Sequence, residues 1–94
     1  MPRYVIERTY TVDLGGMPVV GKRSKQIGRD QFPAIVWEHS HVVVDEDGTV
    51  KSFCIYDAPS TDVVRAHATE LGGHSVDAIY EIAGDVTPDD FPLD

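Results

Sequence analysis

The chain is poor in cysteine, in basic residues and in long apolar runs. Cys54 is the single cysteine among 94 residues, so no internal disulfide can form and a stapled secreted fold is excluded. Lys and Arg number 8 against 16 Asp and Glu, a net charge of −8. Phosphate backbones are repelled by such a surface, and no nucleic-acid partner is expected. The one basic cluster, Lys22, Arg23, Lys25 and Arg29, reads as the solvated side of a helix. No stretch approaches the ~20 apolar residues that cross a bilayer. The opening Met1–Glu7 has no apolar run of signal-peptide length. No membrane partner and a cytoplasmic location are therefore expected. Phosphate loops, Gly-x-Ser-x-Gly and Cys-x-x-Cys are missing. The carboxylates Asp45, Glu46 and Asp47 lack the downstream spacing of a calcium loop and read as turn chemistry.

What is present suits one small globular domain. The hydrophobic fraction of 41% and charged fraction of 26% are ordinary. A chain this short buries roughly 60–65% of its unfolded surface, enough for one thin core. Pairing with a second copy is a common way for such folds to complete a core or a pocket. An acidic surface also favours cationic partners, including divalent metals.

Hydrophobic periodicity gives six elements. Arg3–Thr11 is rich in β-branched and aromatic residues and reads as a strand, interrupted by Glu7 and Arg8. Asp13-Leu14-Gly15-Gly16 breaks it. Met17, Val20, Ser24 and Ile27 recur at helical spacing, and Pro18 suits a first turn, so a helix is predicted from Pro18 to about Gly28. Ala34–Asp45 is the strongest strand signal. Asp47-Gly48 marks a hairpin turn, and Val50–Tyr56 returns. Ser60 or Thr61 caps a second helix that Gly72-Gly73 stops. Val76–Ala83 is the last strand. From Gly84 the chain is acidic and proline-bearing. The domain is expected over residues 1–86, with an acidic tail over 87–94.

The order β-α-β-β-α-β is the split βαβ, or ferredoxin-like, arrangement. It predicts an α+β fold: a four-stranded antiparallel sheet, strand order last, first, third, second, with both helices on one face. The other face is left open, and interactions are expected there.

His39 and His41 lie two apart on the second strand. Period-two alternation places them on one face, about 6.6–6.8 Å apart at the backbone, with Trp37 beside them. Two imidazoles at this spacing can converge on one ion of the kind imidazole prefers: zinc, copper, iron or nickel. Neighbouring strands are expected to bring Cys54, Tyr56, Glu7 and Glu81 to the same open face. Each residue also has a plain structural reading. His-Ser-His can be half-buried surface, Trp37 a core or interface aromatic, and Cys54 a buried small hydrophobe. His67 reads as a packed or capping histidine facing the sheet edge. It can alternatively form a second surface metal site with the loop residue His74.

Several segments carry a family resemblance. They are Tyr4-Val5-Ile6-Glu7-Arg8, Trp37-Glu38-His39-Ser40, Phe53-Cys54-Ile55-Tyr56-Asp57-Ala58-Pro59, Val64-Arg65-Ala66-His67-Ala68 and Val76-Asp77-Ala78-Ile79-Tyr80-Glu81. In this order they resemble a family of small bacterial ferredoxin-like proteins whose described function is nickel binding. The resemblance implies a homodimer with metal held by histidines and carboxylates. His39 and His67 match histidines of the family pattern and Cys54 its cysteine. His41 stands where an aromatic residue is expected. The first helix, with Gly15, Gly16 and Gly21, looks shorter than the family's.

Two functional expectations follow, beside a plain dimeric module without metal or chemistry. The preferred one is a protein that binds or sequesters nickel, or a similar divalent ion. Its ligands would be drawn from His39, His41, Glu7, His67 and Cys54. The alternative is a dimeric α+β barrel enzyme of isomerase, cyclase or cofactor-free oxygenase type. There His39 would be the general base in a pocket shared with Trp37 and Tyr56.

Overall fold

A computed structural model describes residues 1–93. Strand β1 (Arg3–Tyr10) leads through a 3-10 turn at Leu14–Gly16 into helix α1 (Met17–Gln31). Strands β2 (Val36–Val44) and β3 (Val50–Asp57) form the hairpin, followed by helix α2 (Thr61–Leu71) and strand β4 (His74–Glu81). The sheet is antiparallel with order β2-β3-β1-β4, the split βαβ topology expected from the sequence.

Local chemistry explains the boundaries. Asp13 accepts from the Gly16 N–H at 3.2 Å and starts the turn into α1. Gly16 is required there, because a Cβ would sit 2.9 Å from the Val12 side chain. The helix runs on to Gln31, three residues past the predicted end, because Gly28 stays helical and does not take the positive φ with which a glycine ends a helix. Phe32 breaks it instead, extended in φ at −132°, as a residue before proline prefers. Ser60 caps α2 by accepting from the Val63 N–H, and Gly72 ends it at φ +65°. Strand β4 begins two residues before the predicted Val76, because Gly73 turns the chain directly into the ladder through its bond from Thr11 N–H.

Alternation sorts the sheet into two faces. Tyr4, Ile6, Arg8 and Tyr10 of β1, with Val50, Ser52, Cys54 and Tyr56 of β3, are all buried on the helix side. The core there gathers Tyr4, Ile6, Cys54, Tyr56, Ala58 and Val64, with Ile35, Val76 and Ile79 packed against it. Glu7, Thr9, Lys51, Phe53 and Ile55 take the opposite, helix-free face and are only half-buried.

The result is a slab of 49 × 34 × 19 Å. Its radius of gyration is 14.7 Å, against about 12 Å for a compact domain of this length. Edge strand β2 is exposed along almost all of its length, with Val36, Val42, Val43 and Val44 among its uncovered residues. Among the described residues no helix is long and apolar enough to cross a membrane.

Candidate functional site

Strand β2 departs from simple alternation at one point. Trp37 stands opposite Tyr56, and His39 stands opposite Ile55, so Glu38 is an extra, bulged residue. Residues opposite each other share a face. Trp37 therefore turns to the helix side, while His39 and His41 remain on the open side beside Ile55 and Phe53. The expectation that Trp37 and His39 share a face is corrected by this bulge. Arg3 holds it in place, its Nε donating to Glu38 Oε2 at 2.7 Å and its Nη2 to Oε1 at 3.1 Å. That pair keeps the Glu38 carboxyl below its ordinary pKa.

The open face carries the histidine pair. The His39 and His41 rings are both exposed, with centroids 5.2 Å apart and planes at 86°. An ion ~2.1 Å from one nitrogen of each imidazole would set the ring centres roughly 5 Å apart. The pair thus fits a borderline divalent ion as two ligands. It does not supply a complete set. Among the described residues, no group of three or more His, Cys, Asp or Glu is placed to hold one ion.

The other expected ligands lie elsewhere. Glu7 shares the open face but is separated from His41 by Phe53, since both pair with that residue. Two strand spacings put it roughly 9–10 Å away, and it accepts from Lys51 Nζ at 2.6 Å instead. Glu81 stands opposite Tyr4, on the helix side. Cys54 and Tyr56 are buried on the helix side too, because β3 enters its alternation with Val50 inward. The Cys54 thiol contacts only Ser52 Oγ at 3.2 Å among polar partners.

His67 is 2% exposed and sits on α2 between α1 and the sheet. Its Nε2–H donates to the Ser24 carbonyl at 3.1 Å, which leaves Nδ1 bare and buried without a partner. The rings of Phe32 and Tyr56 meet it edge-on. Burial, reinforced by the nearby Arg8 charge, pushes its pKa below 6.5. His74 turns to the helix side as well, stacked on Tyr10 at 5.4 Å with Nδ1 bonded to the Gly72 carbonyl. His67 is buried and His74 half-buried, both on the helix side rather than on the open surface.

The helix side holds what the sequence reading passed over. Helix α1 stands off the sheet and leaves a cavity of about 410 Å³, walled by Tyr10, Met17, Trp37, Ser52, Cys54 and Tyr56, with Arg8 in its lining. Arg8 is 1% exposed. The signal was present in β1, where the alternation Tyr4, Ile6, Arg8, Tyr10 puts a cation at a core position. A smaller cavity of about 230 Å³ adjoins it, lined by Ser24, Ile35, Trp37, Tyr56 and His67 among others. His39 lines neither cavity. A pocket shared by His39, Trp37 and Tyr56 would have favoured the barrel-enzyme expectation; the bulge parts His39 from Trp37, and the inward alternation of β3 puts Tyr56 on the helix side.

Among curated proteins, none matches the chain. The crystal structure of SCO4226 from Streptomyces coelicolor A3(2) superposes with a TM-score of 0.61 at 19% identity, covering 89% of this chain and 99% of that one. The C-terminal domain of the MgtC protein from Mycobacterium tuberculosis superposes at 0.59 with 13% identity, covering 89% of this chain and 88% of that one. At these identities the likeness shows the fold. Family membership rests on a sequence model, described as nickel responsive protein SCO4226-like, which matches residues 4–82. The chain belongs to that SCO4226-like family.

Proposed function

We propose that this protein binds nickel, or a similar divalent transition metal, at the His39–His41 pair on the open sheet face. The observation that carries the reading is the pair itself: two exposed imidazoles with centroids 5.2 Å apart, on a chain of net charge −8. The family's description as nickel responsive agrees with it. Water, or a second copy of the chain, completes the coordination. A second copy has a surface to occupy, since Val5, Phe53 and Ile55 form a half-buried apolar strip beside the histidines. A homodimer across this face would also supply the layer that the flat protomer lacks. Glu7, His67 and Cys54 are not ligands in this reading, because Lys51 engages the first and the core encloses the other two.

Calorimetric titration with nickel and with zinc tests the proposal. Saturable heat at micromolar metal is expected, with at least a tenfold loss of affinity in His39→Ala and in His41→Ala. His67→Gln should leave the affinity within about twofold. Heat that is unchanged in the double variant would overturn the assignment.

A further inference from the structure

Arg8 poses an electrostatic problem that the metal reading does not solve. Its guanidinium is enclosed, and both Nε and Nη2 are buried without a hydrogen-bond partner. Among the described residues no carboxylate lies within ion-pair distance of it. A buried charge is costly unless paired and hydrogen-bonded. The Tyr56 ring, 5.2 Å from the guanidinium carbon, offsets part of the cost. It does nothing for the two N–H groups.

The unpartnered edge is a specific one. Nε and Nη2 form the side of the guanidinium that takes a carboxylate through two parallel hydrogen bonds. Two other arginines of this chain use that same edge so: Arg3 on Glu38, and Arg29 on Asp30 at 2.7 and 3.1 Å. In Arg8 that edge has no partner and is closed to solvent, while the residue itself lines a cavity of about 410 Å³. That volume lies within the range of small-molecule sites. The polar groups nearby are already engaged with one another, as Tyr10 Oη and Ser52 Oγ are at 2.7 Å.

We propose that the cavity is a binding site for a small organic monocarboxylate with an apolar body. The carboxylate pairs with the Arg8 guanidinium from the cavity side, drawing the unpartnered Nε/Nη2 edge round to it, and the body lies against Tyr10, Met17 and Trp37. One fixed cation in an otherwise apolar enclosure matches a single negative charge. A phosphate monoester, nearer two charges, would need further cations, and no lysine lines the cavity. The site lies across the sheet from His39 and His41 and shares no residue with them, so the two proposals stand or fall separately.

The test is titration of the full-length, metal-free protein with octanoate and with 3-phenylpropanoate, followed by nitrogen-15 NMR that includes the arginine Nε–H resonances. The uncharged comparator is 3-phenylpropan-1-ol. Saturable binding of at least one acid is expected, at least tenfold tighter than the alcohol, with the Arg8 Nε–H resonance moving. Arg8→Met should weaken acid binding at least tenfold. Arg8→Lys, which keeps the charge and loses the fork, should weaken it less. His39→Ala/His41→Ala should bind the acid within about threefold of wild type. No saturable binding of either acid, equal binding of acid and alcohol, or saturation without movement of the Arg8 resonance would each overturn the proposal. The last two readings need only the wild-type chain, so the test survives a variant that fails to fold.

Discussion

Replacing Arg8 with methionine should make the ligand-free protein more stable. Arg8 is 1% exposed and has no counter-charge among the described residues. The effective penalty for burying an ion is several kcal/mol, even after relaxation. Stacking on Tyr56 at 5.2 Å returns about 2 kcal/mol at best. Methionine has similar reach, no charge and the flexibility to fill an irregular gap. Replacing buried ionic groups by apolar residues of like volume has gained roughly 1–4 kcal/mol elsewhere, so about 2 kcal/mol is expected here. For a domain of this size that raises Tm by roughly 8–16 °C. Urea unfolding at pH 7 should show a higher midpoint with an unchanged slope. Octanoate should then stabilise wild type by about 2.7 kcal/mol at a hundredfold excess over its Kd, and Arg8→Met by no more than about 1.4 kcal/mol at the same concentration, for a tenfold or greater loss of affinity. A midpoint that falls by more than about 1 kcal/mol in Arg8→Met would refute the reasoning. Arg8 would then be compensated within the folded chain, with no ligand required.

Two further outcomes test the packing of α2 against the sheet. Burial lowers the pKa of His67 from 6.5, with the Ser24 carbonyl opposing and the Arg8 and His74 charges adding to it. The folded state therefore prefers the neutral ring: stability is full above about pH 6.5 and is lost as the pH falls through the lower folded-state value. His67→Gln should flatten that part of the stability profile between pH 7 and 5, measured by urea unfolding. A slope equal to wild type would count against the buried neutral histidine. His74, also lowered by burial, supplies what dependence remains. Val64 is fully enclosed in the core, and Val64→Ala should cost about 2 kcal/mol through lost burial and a residual cavity. Thermal unfolding lower by roughly 8–16 °C is expected, and a loss under 3 °C would mean that α2 does not anchor the core.

The fold was legible because its signals were local and mutually consistent. Asp47-Gly48 set the hairpin, Gly72-Gly73 stopped α2, and apolar periodicity changed from two to 3.6 between elements. The site was less legible because a face assignment depends on parity, and parity does not survive an extra residue. Glu38 is that residue in β2. Nothing in Trp37-Glu38-His39 announces the bulge. The bulged Glu38 pairs with Arg3, 35 positions away, a contact that no local pattern signals. In β3 the parity was simply taken the wrong way round: Val50 enters inward, which carries Ser52, Cys54 and Tyr56 with it. Arg8, by contrast, was readable. A charge at the third position of Tyr4, Ile6, Arg8, Tyr10 is a local conflict between residue type and burial, and such conflicts mark functional or strained positions.

The two proposed sites meet on one strand. Along β2, His39 and His41 face the open side while Ser40 between them faces the helix side, where it accepts from Trp37 Nε1 at 2.9 Å. Ser40 and Trp37 both line the Arg8 cavity. A perturbation that shifts the register of the whole strand moves both sets of residues and distinguishes nothing. Deletion of Glu38 would instead remove the extra residue and join Trp37, opposite Tyr56, to His39, opposite Ile55, in one regular ladder, with each on the face it now occupies. Side-chain substitutions do separate the sites, since His39 and His41 contribute only to the open face and Arg8 only to the cavity. The metal reading is therefore tested at His39 and His41 with Arg8 intact, and the carboxylate reading at Arg8 with the histidines intact.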